Sequence, residues 1–190
     1  MRTRTLLLAA VALPLALATA QLSAATMSTD QTVMVGGAAM YPSRNIIQNA
    51  VNSKDHTTLV AAVKAAALVD TLESPGPFTV FAPTNEAFAR LPPGTVETLV
   101  KPENKAALTK ILTYHVVAGR LTGADLVKLV KDGHGKAMLK TVEGDPLTVS
   151  EQSGKLFVSG EKSGVAEVSI ANVMQSNGVI HVVSSVLLPN

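Results

Sequence analysis

The chain has no cysteine in its 190 residues. That excludes disulfide scaffolds, Cys-bound zinc, iron–sulfur clusters, thiol catalysis and a lipidated N-terminal Cys. Tryptophan is also absent and aromatics are 3% of the chain, too few for a stacking platform on single-stranded nucleic acid or sugars. Charged residues are 16% against 47% hydrophobic, which excludes a disordered polar tail. The formal charge of +2 comes from Arg2 and Arg4; without them the remaining Lys and Arg balance the 14 Asp and Glu. A neutral chain with scattered charges has no electrostatic basis for binding DNA, RNA or an anionic membrane.

Arg2 and Arg4 precede an uncharged apolar run, Leu6 to Ala18, broken only by Pro14. The run is short of the ~20 residues of a transmembrane helix. Small residues follow in two cleavage patterns, Ala18-Thr19-Ala20 and Ser23-Ala24-Ala25. The pattern predicts a secretory signal peptide over residues 1–25, with a retained membrane anchor as the competing reading. Cleavage would leave no transmembrane segment and an extracellular or periplasmic destination. Without disulfides the mature chain relies on its core, which is feasible at this size.

Residues 26–41 are polar and then Gly/Ala-rich, and read as a linker or N-terminal arm. A short helix is expected from Pro42 to Val51, capped by Ser43, and another from Asp55 or Thr57, its stripe formed by Leu59, Val60, Val63, Ala67 and Leu68. Ser74-Pro75-Gly76-Pro77 stops it. Phe78–Phe81 reads as a buried strand, followed by a helix capped by Thr84 with Glu86 in its first turn. Helices are expected over 95–100 and 102–112, the latter with Pro at its start. Thr113–Val117 reads as extended, and Thr122 caps a helix over 124–130. Strands are expected over 138–142, 147–151, 156–159 and 165–170, separated by Gly-containing turns. Asn177-Gly178 is a hairpin signal ahead of a last strand from Val179. Helices first and strands second predict an α+β fold with an antiparallel sheet or sandwich.

Catalytic motifs are missing: no nucleophile elbow, Walker loop or G-x-G-x-x-G occurs. Ser159-Gly160-Glu161-Lys162 matches S-x-x-K but lacks its partner motifs and falls in a turn, a chance match. His56, His115, His134 and His181 are isolated, so neither a metal site nor a cofactor is expected. His56 and His134 read as surface residues. His115 and His181 lie in apolar strands, where a histidine is either a hydrogen-bonded core residue or a functional one.

Three segments resemble one family, the fasciclin domain. Phe78-Thr79-Val80-Phe81-Ala82-Pro83-Thr84-Asn85-Glu86-Ala87-Phe88 is similar to its first block. Ile111-Leu112-Thr113-Tyr114-His115-Val116-Val117-Ala118-Gly119 resembles its Tyr-His block, and residues 177–189 its closing block. Their order fits one domain over residues 42–190. Asn85 and Ser184 depart from the family's pattern, in which acidic residues are frequent, so any network built on those carboxylates must here be neutral or different. The resemblance implies a fasciclin-like wedge, helices packed on an antiparallel β-sandwich, and a non-enzymatic role in cell adhesion or extracellular and surface protein interaction. It also implies a protein, cell-surface or matrix partner, and a binding role for Tyr114, His115, Ile111, Leu112, Val116 and Val117; the competing reading makes this block core. No Arg-Gly-Asp occurs. Two other functions compete: a cell-envelope carrier holding a small apolar ligand or cofactor between the sheet and the helices, suggested by His115, His181, Met138 and Met174, and an enzyme using His115 or His181 as base.

Overall fold

Two strands that are largely apolar, each with one polar residue (Thr79 and His181), form the centre of the fold and are buried on both faces. A computed structural model, describing residues 32–190, pairs β3 (Phe78–Pro83) with β9 (Gly178–Val183) in parallel, Phe81 opposite His181. Around them a seven-stranded sheet runs β4-β3-β9-β8-β7-β6-β5, with β4 Val116–Ala118, β5 Lys136–Lys140, β6 Pro146–Gln152, β7 Lys155–Ser159 and β8 Val165–Gln175. All other pairs are antiparallel. A bridge between Val117 and Thr141 brings the two edges of the sheet together.

Period-two alternation in β3 and β9 sorts their side chains into two cores. Val80, Ala82, Ile180 and Val182 face a helix-side core. Phe81 and Val183 face a second core between the folded halves of the sheet, closed by α7 (Gly123–Asp132). The helix-side core is covered by α1 (Ile46–Ala50), α2 (Thr57–Ala65), α3 (Val69–Glu73), α4 (Asn85–Ala89) and α6 (Lys105–Tyr114), with α5 (Thr95–Leu99) on its margin. The expected caps form: Thr84 accepts from the Ala87 N–H, and Thr122 makes a capping box with Asp125. No helix among the described residues is long and apolar enough to cross a membrane.

The architecture is the expected α+β one, with local differences. The arm expected over 26–41 contains a hairpin, β1 (Val33–Val35) and β2 (Ala38–Met40), whose Val35 and Met40 are buried in the helix-side core. Its turn is Gly36-Gly37, both at positive φ, so the glycines of the expected linker or arm make a tight hairpin. The leader expected over 1–25 and the start of the arm lie outside the described residues. Tyr114 and His115 are not extended: α6 runs through Tyr114, His115 is its αR cap, and the strand begins at Val116. The His115 ring bonds the carbonyl four residues back, and this, with Leu108 and Leu112 packed below, overrides weak β preference. The first helix is capped by Asn45, not Ser43. The β8–β9 turn centres on Ser176-Asn177, one residue earlier than expected, because Gly178 already pairs with Gln175. A Cβ at Gly178 would lie 2.2 Å from the Phe78 carbonyl oxygen, so the close β3–β9 approach demands glycine there. The sheet is mostly antiparallel, as expected; within it β3 and β9, far apart in sequence, pair in parallel, which needs no hairpin.

Candidate functional site

The Tyr-His block spans both cores. Leu112 and Val116 are buried on the helix side, where Ile111 packs half-buried; Tyr114 and Val117 are buried on the sheet side. The tyrosine side chain is 0% exposed, so its ring presents no surface to a partner in this conformation. Its hydroxyl donates to the Pro146 carbonyl at 2.7 Å and accepts the Glu161 N–H at 3.2 Å, joining two turns of the sheet to α6. Burial, the largest cause, raises its pKa.

His115 is likewise interior. Its Nε2 accepts the Leu187 N–H at 3.0 Å, so the proton sits on Nδ1, which donates to the Ile111 carbonyl at 2.8 Å. Burial pulls its pKa down to about 4, against the raising effect of the Ile111 carbonyl, and the ring is neutral at pH 7. His181 stacks on Phe81 with centroids 5.6 Å apart. It donates from Nε2 to the Leu121 carbonyl at 2.9 Å and accepts the Asn172 N–H at Nδ1. Burial lowers its pKa too. Among the described residues the hydrogen-bond partners of both imidazoles are backbone groups, and none is a carboxylate or hydroxyl. Among the described residues no group of three His, Asp or Glu converges as a metal site.

Between the helices and the sheet lies a cavity of about 60 Å³. Ile47, Leu59, Val63, Leu112, Val116 and Ile180 contribute to its almost wholly apolar wall. Four residues with polar side chains contribute to its lining, His56, Thr71, Thr113 and His115. His56, expected at the surface, is 3% exposed, its ring hydrogen-bonded to the buried Ser53. His134 stands in an exposed turn, as expected, and Met138, offered above as a ligand neighbour, is 71% exposed and points away from any interior site.

Comparison with known proteins settles the family. The fasciclin domain model matches residues 54–189. The chain belongs to the fasciclin family. It is 47% identical over 162 residues to protein sll1483 of Synechocystis sp., covering 85% of this chain and 83% of that one. It is 39% identical over 145 residues to immunogenic protein MPB70 of Mycobacterium bovis, covering 74% of this chain and 66% of that one. Against transforming growth factor-beta-induced protein ig-h3 of Oryctolagus cuniculus it is 38% identical, covering 78% of this chain but 20% of that much longer one. Among solved structures, a fasciclin domain pair from the insect cell adhesion molecule Fasciclin I superposes with a TM-score of 0.70 at 21% identity, over 78% of this chain and 52% of that one. The family match begins at Lys54, yet β1, β2 and α1 upstream of it pack on the same core.

Two departures from the fasciclin pattern now have a physical reading. Asn85 Oδ1 accepts from the Thr58 N–H and the Thr57 hydroxyl, while its Nδ2 donates to the Lys54 carbonyl at 2.7 Å. A carboxylate could not make that last bond, so this network is neutral by construction. Ser184 accepts the Glu167 N–H through its hydroxyl. The sequence reading missed Asn177. Its Nδ2 donates to the Leu72 and Ser74 carbonyls and its Oδ1 accepts the Ile46 N–H, so one buried side chain joins the end of α3, the start of α1 and the β8–β9 turn. No local pattern reveals such a role, since the partners are 103 to 131 residues away.

Proposed function

We propose that this fasciclin-domain protein acts by binding and not by catalysis. In this reading it is an extracellular or periplasmic module, delivered by a leader over residues 1–25, that meets a protein, cell-surface or matrix partner through its exterior. The observation that carries the proposal is the use made of the candidate acid–base groups: among the described residues His115 and His181 are bonded to backbone inside the core. Adhesion as the role draws support from the shared fold with an insect cell adhesion molecule. Tyr114, His115, Leu112, Val116 and Val117 then shape the scaffold, with Ile111 half-exposed at its margin, and the partner is met by surface residues. The test is a deletion strain in an attachment assay. Reduced attachment, restored by adding back the purified protein, supports the proposal. Unchanged attachment and unchanged surface association contradict it.

A second reading, carriage of a small apolar ligand, is favoured by one specific observation, the apolar cavity between helices and sheet. It would place the ligand on the helix side, away from Met138.

A further inference from the structure

Whole-chain neutrality conceals a local excess of positive charge. From Lys128 to Lys140 the sequence has four lysines and one aspartate. Two of these lysines, Lys136 and Lys140, flank Met138 on β5, where period two puts all three on one face; the alternate residues Ala137 and Leu139 are buried in the second core. Met138 is 71% exposed, and both lysines are exposed. Across the sheet their neighbours on β6 are Ser150, Thr148 and Pro146, none of them charged. Among the described residues the lysines that form ion pairs are Lys110 and Lys155, so neither lysine of β5 has a carboxylate partner.

β5 is also an edge of the seven-stranded sheet. Its register fixes which backbone groups face outward. The Thr141 N–H donates to the Asp145 carbonyl, and β5 and β6 stay in step from there to the Lys136–Ser150 pair. Ala137 and Leu139 therefore bond β6, while Met138 and Lys140 turn their N–H groups away from it. On that outer side the Val142 N–H donates to the Val116 carbonyl at 2.7 Å, and a bridge joins Thr141 to Val117. No strand among the described residues continues that pairing along 136–139, and the Met138 N–H and carbonyl have no partner among them. At Gly135, just before the strand, an added Cβ would meet nothing within 4 Å, so the space beside that residue is open.

An unpaired edge is a template for one more strand, and the flanking charges decide which strand. A second copy of β5, paired antiparallel about Met138, would set Lys136 of one copy against Lys140 of the other, twice over, and like charges directly opposite oppose pairing. An incoming strand in the same register places the residues opposite Lys136, Met138 and Lys140 on the same exposed face. Complementarity then calls for acidic, apolar and acidic side chains at alternate positions. No two acidic residues of this chain lie four apart, so a second copy supplies no such segment. We propose that β5 takes an extended segment of a different protein as an added antiparallel strand, of pattern acidic-x-apolar-x-acidic, held by the Met138 backbone and by Lys136 and Lys140.

The proposal deepens the binding reading above and rests on it, and the two can fail separately. The experiment is an amide NMR titration of the purified protein with the peptide acetyl-Thr-Glu-Thr-Val-Thr-Glu-Thr-amide and, separately, with its counterpart carrying Lys in place of Glu. The expected result is saturable shifts at the Met138 and Lys140 amides with the glutamate peptide, and about tenfold weaker binding of the lysine peptide. N-methylation of the central valine removes the N–H that the Met138 carbonyl accepts and should abolish those shifts. The double variant Lys136→Glu, Lys140→Glu, changed at two exposed positions, should reverse the preference and bind the lysine peptide more tightly, a gain that an unfolded variant could not show. Equal affinity of the wild-type protein for the two peptides overturns the proposal, as does binding that survives N-methylation or no saturable shift with either peptide. Attachment that is lost on deletion, with no peptide binding here, overturns the β5 edge alone and leaves the binding reading standing.

Discussion

The imidazole of His115 ties the end of α6 to Leu187, 72 residues further along the chain. One ring nitrogen donates to the Ile111 carbonyl and the other accepts the Leu187 amide, so the side chain clamps the closing segment onto the helix that carries the Tyr-His block. Removing it should leave a buried amide and carbonyl unpaired. His115→Ala is expected to lower stability by about 1–3 kcal/mol, read from the urea midpoint. Tyr114→Phe, which loses the bonds to Pro146 and Glu161 but keeps the ring, should cost about 1–2 kcal/mol.

The same clamp predicts an acid response. His115 titrates near 6.5 when unfolded and near about 4 when folded, so between those values the unfolded chain binds more protons. Stability from this group is present in full above pH 6.5 and is lost as pH falls toward 4. A difference of roughly 2.5 pH units corresponds to about 3 kcal/mol, and His56 and His181, also lowered by burial, add to the loss. Urea midpoints measured from pH 7.5 to 4.5 should decline steeply below pH 6.5. In His115→Gln the decline should be shallower.

Asn177 makes a third prediction. Its amide satisfies two carbonyls and one backbone N–H in a buried junction. Asn177→Ala should cost about 2–4 kcal/mol, and Asn177→Asp at least as much, since a carboxylate cannot donate to Leu72 and Ser74. Thermal unfolding of both variants against wild type checks the order. Equal midpoints for wild type and Asn177→Asp would contradict it.

Gly178→Ala should be worse tolerated than Gly164→Ala. At Gly178 the added methyl meets the Phe78 backbone, whereas at Gly164 it meets nothing within 4 Å. The expected outcome is loss of soluble folded protein for the first and a midpoint within about 0.5 kcal/mol of wild type for the second.

Much of this fold is written in local patterns. Thr84 and Thr122 announce their helices because a capping hydroxyl and an N3 partner lie within three residues. The apolar runs of β3 and β9 announce strands buried on both faces. What stays hidden depends on distant partners. The β1–β2 hairpin was masked because Gly-Gly is both a linker and a tight turn, and only the packing of Val35 and Met40 decides. Tyr114 and His115 belong to residue types that suit either a strand or a helix end, and the Leu187 contact resolves them. His56 is interior and lines the cavity beside residues far away in sequence, such as Ala82 and Ile180, which a local pattern does not indicate.

The central claim is that the Tyr-His block closes the interior and does not face a partner. The chain has two tyrosines, and they serve as an internal comparison: Tyr41 is 41% exposed and Tyr114 is 0% exposed. Nitration of the native protein with tetranitromethane, followed by peptide mass spectrometry, measures both in one sample. The account predicts modification at Tyr41 with Tyr114 protected until urea unfolds the chain. Nitration of Tyr114 at a rate matching Tyr41, in protein that remains folded, would contradict it.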